Sequence, residues 1–132
     1  MSHILVIEDD VQFRTMLVQM LQSDRHEVTI AGDGVEALEL LVSIRPDLII
    51  TDILMAKMDG VETIVELARR GIDTPVIAMS GGRRSITAEF NLDSAALLGV
   101  TATLSKPFAR ADLRKAIEQA LLTRKVRRPA AK

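Results

Sequence analysis

Five short apolar runs, each separated from the next by a stretch of helical spacing, limit what this chain can become. They are His3-Ile4-Leu5-Val6-Ile7, Glu27-Val28-Thr29-Ile30-Ala31, Leu48-Ile49-Ile50-Thr51, Pro75-Val76-Ile77-Ala78-Met79 and Ala102-Thr103-Leu104-Ser105. Runs this short, rich in Val and Ile, read as strands, and those lacking polar alternation read as strands buried on both faces. Phe13, Leu17, Met20 and Leu21 mark a first helix at helical spacing. Ala37, Leu38, Leu41 and Val42 mark a second, stopped before Pro46, and Gly32-Asp33-Gly34 ahead of it reads as a turn. Val61, Ile64, Val65 and Ala68 mark a third, with a basic last turn and a stop at Gly71. Residues 86–98 carry a less regular helical pattern before Gly99, and Leu113, Ala116, Ile117, Ala120 and Leu121 form a fifth apolar stripe. Strands alternating with helices imply an α/β fold, a parallel sheet joined by right-handed crossovers.

The residues that close the runs are polar. The first is followed by Glu8-Asp9-Asp10, the third by Asp52, the fourth by Ser80 and the fifth by Lys106. A parallel sheet puts all its carboxyl ends on one edge, where open α/β sheets place their ligands. Carboxylates gathered there repel, at roughly 4 kcal/mol for a pair about 4 Å apart at an effective dielectric of about 20. A divalent cation relieves that repulsion, and an all-oxygen donor set suits Mg²⁺, with Mn²⁺ as the alternative, rather than zinc. A lysine and a hydroxyl beside the metal suit the oxygens of a phosphoryl group, and an aspartate can accept one as an acyl phosphate. Each residue also has a plainer reading. Asp52 and Ser80 could start a turn or cap a segment, Asp10 is better placed to cap the first helix than to bind metal, and Lys106 could be an exposed lysine.

The chain resembles the receiver domain of bacterial two-component response regulators from Ile4 to about Leu122. The resemblance rests on Glu8-Asp9-Asp10 with Arg14, Gly32-Asp33-Gly34-Val35-Glu36-Ala37-Leu38, Pro46 to Asp52, Met58-Asp59-Gly60, Ser80-Gly81-Gly82 and Lys106-Pro107-Phe108, in that order and spacing. It implies a flavodoxin-like, doubly wound sheet of five parallel strands in the order 2-1-3-4-5 with five helices. It also implies that Asp52 is phosphorylated by a histidine kinase or a histidine phosphotransfer protein. Asp9, Asp52 and the backbone carbonyl of Leu54 would hold Mg²⁺, with Glu8 acting through water and Arg14 setting the register. Ser80 would follow the phosphoryl group, Lys106 would be its counter-ion, and Pro107 would be preceded by a cis bond. Two positions depart from the family pattern. Ala56 stands where proline is frequent, and Thr103 where a Tyr or Phe usually swings inward. With no ring at 103, the signal is expected to leave through the loop 81–85 and the segment after it.

Composition narrows the remaining choices. Cysteine is absent, which excludes disulfides and thiolate metal sites, and Trp and Tyr are absent, so the core must be aliphatic. No stretch has the length of a membrane span, and a cytoplasmic protein is expected. Net charge is −1, with Arg124, Lys125, Arg127, Arg128 and Lys132 concentrated at the end. The expected organisation is a receiver over 1–123 and a basic, disordered tail over 124–132, with no motif that supports nucleic-acid binding. One domain of this size reads as a stand-alone switch or relay intermediate with an unidentified downstream protein partner, not an enzyme. A Mg²⁺-dependent phosphohydrolase is the enzymatic alternative, but such enzymes resembling the haloacid-dehalogenase type carry an Asp two residues after the nucleophile, where this chain has Leu54. A pseudo-receiver that only binds partners is the other alternative, and the intact acids and Lys106 argue against it.

Overall fold

The computed structural model describes residues 2–53, 60–81 and 100–127. Five strands, β1 (His3–Ile7), β2 (Glu27–Ala31), β3 (Leu48–Asp52), β4 (Val76–Gly81) and β5 (Ala102–Lys106), form one sheet in the order β2-β1-β3-β4-β5, every pair parallel. Four helices accompany them among the described residues: α1 (Val11–Ser23), α2 (Gly34–Leu40), α3 (Gly60–Arg69) and α4 (Arg110–Arg127). The helix expected over 86–98 lies outside the described residues, as do Leu54, Ala56 and most of the 81–85 loop.

Side chains of a strand alternate between faces, and the core divides accordingly. Ile4, Val6, Leu48, Ile50, Ile77, Met79 and Leu104 meet Leu17 and Leu21 of α1 and Leu113, Ala116, Ile117 and Ala120 of α4. On the other face Leu5, Ile7, Ile49, Val76 and Ala78 meet Ala37 and Leu38 of α2 and Ile64 and Leu67 of α3. Every residue of β3 is buried, as its central place in the sheet demands.

Local chemistry explains the helix ends. Asp10 caps α1, its Oδ1 accepting from the Phe13 N–H at 3.1 Å. Asp33 caps α2 through the Glu36 N–H, while Glu36 Oε1 accepts from the Gly32 N–H, a reciprocal capping pair. The predicted Gly32-Asp33-Gly34 turn is therefore the entry to α2. Gly71 ends α3 with φ +72°, a conformation that suits a residue without Cβ.

Three expectations are corrected. The second helix stops at Leu40, ahead of the expected Leu41 and Val42, and Val42 is 82% exposed. On α3, Thr63, Ile64 and Leu67 are buried while Val65 and Ala68 face outward. A buried threonine does not register in an apolar count, so the periodicity picked the neighbouring stripe. Finally, α4 continues past Thr123 to Arg127, so the first residues of the expected tail are helical. Arg and Lys are good helix formers and suit a helix C-terminus, and no breaker occurs before Pro129.

Candidate functional site

The sheet ladder builds the site. Pairing of β1 with β3 ends at Ile7 against Thr51, so Glu8 and Asp52 take the next rung, and Asp52 pairs in turn with Met79 and Met79 with Leu104. By alternation Glu8 follows Ile4 and Val6, Asp52 follows Leu48 and Ile50, and Lys106 follows Leu104, all on the face covered by α1 and α4. Lys106 stands two residues beyond the common rung and leans back over it. Its Nζ donates to Glu8 Oε1 at 2.7 Å and to Asp52 Oδ2 at 3.1 Å.

Glu8 is fully buried and Asp52 nearly so. The second Glu8 oxygen accepts from the Asp10 N–H at 3.1 Å, and Arg14 Nη1 donates to the Glu8 carbonyl at 3.1 Å, tying the end of β1 to α1. Burial pushes the Glu8 carboxyl up to about 7; the Lys106 hydrogen bond opposes the rise and the Asp52 charge adds to it. Burial works against the Lys106 ammonium, but the Glu8 hydrogen bond and both carboxylate charges outweigh it and hold its pKa above the ordinary lysine value. Unrelieved repulsion between acids is thus not the whole picture, because the lysine already bridges two of them.

One carboxylate oxygen from each of Glu8, Asp9 and Asp52 lies within 4.8 Å of the other two. Oxygens on opposite sides of an octahedral Mg²⁺ are separated by roughly 4.2 Å, so this donor set fits a small hard cation with slight closure. Asp10 is outside this cluster, its carboxylate being used as the α1 cap. Leu54, whose carbonyl was a candidate ligand, lies outside the described residues. Ser80 is buried in β4, in register with Ser105, and by alternation sits with Val76 and Ala78 on the α2/α3 face. The Lys106–Pro107 peptide bond is cis. Thr103 is exposed on β5 and lines a cleft of about 530 Å³ against α4, whose lining includes Asp112 but not Glu8, Asp9 or Asp52.

Sequence reasoning missed two aromatic members of this site. Phe13 presents its ring to the Lys106 ammonium, 4.2 Å from Nζ to centroid, and meets the Phe108 ring edge-on at 5.7 Å. The available signal was the scarcity of phenylalanine, with three in the chain and two of them within three residues of a polar strand end. His3 and His26 serve locally: His3 Nε2 shares a hydrogen bond with Thr29, and His26 Nδ1 accepts from the Ser2 N–H.

With this geometry in place, similarity to known proteins is decisive. Residues 4–118 match the response regulator receiver domain family. The chain belongs to that family. Response regulator MprA of Mycobacterium ulcerans is 37% identical over 111 residues, covering 83% of this chain and 46% of that protein, and MprA of Mycobacterium avium is 36% identical over the same length. The chain therefore spans about half the length of these curated relatives. Among solved structures, NtrX of Brucella abortus superposes with a TM-score of 0.86 at 28% identity, covering 95% of this chain and 28% of NtrX. The Vibrio cholerae chemotaxis protein CheY4 superposes at 0.80 with 29% identity, covering 92% of this receiver and 99% of CheY4. Membership makes the chain a receiver domain of the two-component type. No helix among the described residues is long and apolar enough to cross a membrane.

Proposed function

We propose that Asp52 is the phosphoacceptor of this receiver, taking a phosphoryl group from a phosphohistidine on a cytoplasmic kinase or phosphotransfer protein. The observation that carries this reading is the placement of Asp52. It is the acid at the end of the central strand, hydrogen-bonded to Lys106 and grouped with Glu8 and Asp9. A carboxylate oxygen of Asp52 attacks phosphorus, the phosphorus–nitrogen bond breaks, and the imidazole leaves. Lys106 exchanges its carboxylate contacts for a phosphoryl oxygen, and Ser80 supplies a hydroxyl from the opposite side of the rung. Glu8, Asp9 and Asp52 would hold Mg²⁺, which supplies charge neutralisation for the incoming phosphoryl group. No carboxylate stands at position 54 to activate water against an external ester, so the site works on its own aspartate and is not a turnover enzyme.

Incubation with Mg²⁺ and acetyl phosphate should add one phosphoryl group by intact-mass measurement, and Asp52→Asn should abolish the addition. Equal labelling of the Asn variant would reassign the acceptor.

A further inference from the structure

The geometry points to Phe13 as a positioning residue for phosphoryl transfer, its ring holding the Lys106 ammonium between Glu8 and Asp52. This deepens the phosphoacceptor reading and rests on it. An ammonium has three donors on a flexible stem. Two directions are taken by Glu8 Oε1 and Asp52 Oδ2, and the Phe13 ring lies 4.2 Å from Nζ. A cation over a ring face is attracted by the ring quadrupole, the more so where water is excluded. Here the acid partners are buried and Lys106 itself is only 16% exposed. The ring is held in turn. Phe108, two residues past the lysine, meets it at 88°, and both rings pack on the cluster that α1 and α4 share with the sheet. Lysine, ring and ring thus close a small circuit across residues 13, 106 and 108, linking the end of β5 to α1.

When a phosphoryl group on Asp52 draws Lys106 outward, the ring face limits where the ammonium can go. Without it the stem samples more rotamers, and the lysine spends less time aimed at the acceptor. Lys106 motion should also be felt by Phe13 and Phe108, a route that does not depend on Thr103.

The test compares wild type with Phe13→Leu, Phe13→Met and Phe13→Tyr. Lysine ε-methylene resonances, assigned through Lys106→Arg, should show a ring-current upfield shift for Lys106 in wild type and Phe13→Tyr that is lost in Phe13→Leu and Phe13→Met. Phosphorylation by acetyl phosphate in saturating Mg²⁺ should slow roughly threefold to tenfold in the Leu and Met variants, the range a cation–π contact supports, and recover in Tyr. Magnesium affinity should stay unchanged across the series. A Lys106 resonance indifferent to position 13, or a Tyr variant as slow as Leu, overturns the proposal in favour of simple packing. The resonance arm needs no phosphoryl group. A wild type that takes no phosphate would therefore overturn the acceptor reading, while the Lys106 shift still decides the contact.

Discussion

The two faces of the sheet are made from the same aliphatic residues, yet they end differently at the carboxyl edge. The α1/α4 face, under helices of 13 and 18 residues, closes on Glu8, Asp52, Lys106 and two phenylalanines. The α2/α3 face, under helices of 7 and 10 residues, closes at β4 on the neutral hydroxyl of Ser80. The strand period of two causes this. Residues of matching parity on three strands bring every charge of the Glu8–Asp52–Lys106 set to one side, and the intervening parity leaves the hydroxyl on the other. Charge and stability are therefore coupled on one face and largely separate on the other.

The strongest way to break that comparison is to remove the bridging cation. In metal-free protein at pH 8, Lys106→Met should lower the unfolding free energy by roughly 3 kcal/mol, because two buried carboxylates then face each other uncompensated. Denaturant titration followed by circular dichroism measures this, a suitable probe for a chain without Trp or Tyr. A neutral outcome would mean that the charged face is no more sensitive than the other.

Next in size is pH. Because Glu8 is held near 7, well above its unfolded value, the folded state binds the extra proton and is favoured below the ordinary carboxyl range. That contribution is lost as pH rises toward 7 and is gone above it. Metal-free wild type should therefore be more stable at pH 5 than at pH 7.5, by on the order of 2 kcal/mol from this group. His26, whose pKa burial lowers, works in the opposite direction as pH falls below its unfolded value. Glu8→Gln should flatten the Glu8 part of the profile. Saturating Mg²⁺ should flatten it too, since the cation and the proton compete for the same carboxyl. A wild-type profile that Glu8→Gln leaves unchanged would locate the titration elsewhere.

Smaller still is the α1 cap. Asp10→Ala should cost about 1 kcal/mol and leave the Mg²⁺-dependent rise in melting temperature intact, since Asp10 serves the Phe13 N–H and stands outside the acid cluster. Loss of the metal response in that variant would return Asp10 to the ligand set. The smallest stability effect should come from Ser80→Ala, under about 1 kcal/mol by thermal melting, with the phosphoryl lifetime on Asp52 changed more visibly than the fold. A Ser80 variant as unstable as Lys106→Met would erase the distinction between the faces.

Much of this molecule was legible in its residues. Strand positions followed from apolar runs bounded by Pro, Gly and acids, and their starts agree with the observed elements to within a residue. The candidate acids and lysine were legible because polar residues at the ends of buried strands stand out. Helix faces were read less well where a polar residue is buried, as at Thr63, or where a helix ends early, as at Leu40.

Strand positions, the acid-rich edge and the Asp10 cap were determined by sequence alone, because period, capping and turn chemistry act over a few residues. Tertiary structure decided which carboxylates Lys106 bridges, across 98 and 54 residues of chain, and that Phe13 of all the residues of α1 lies beneath its ammonium. Those partners are chosen by strand register and helix docking, long-range packing outcomes that no local pattern encodes.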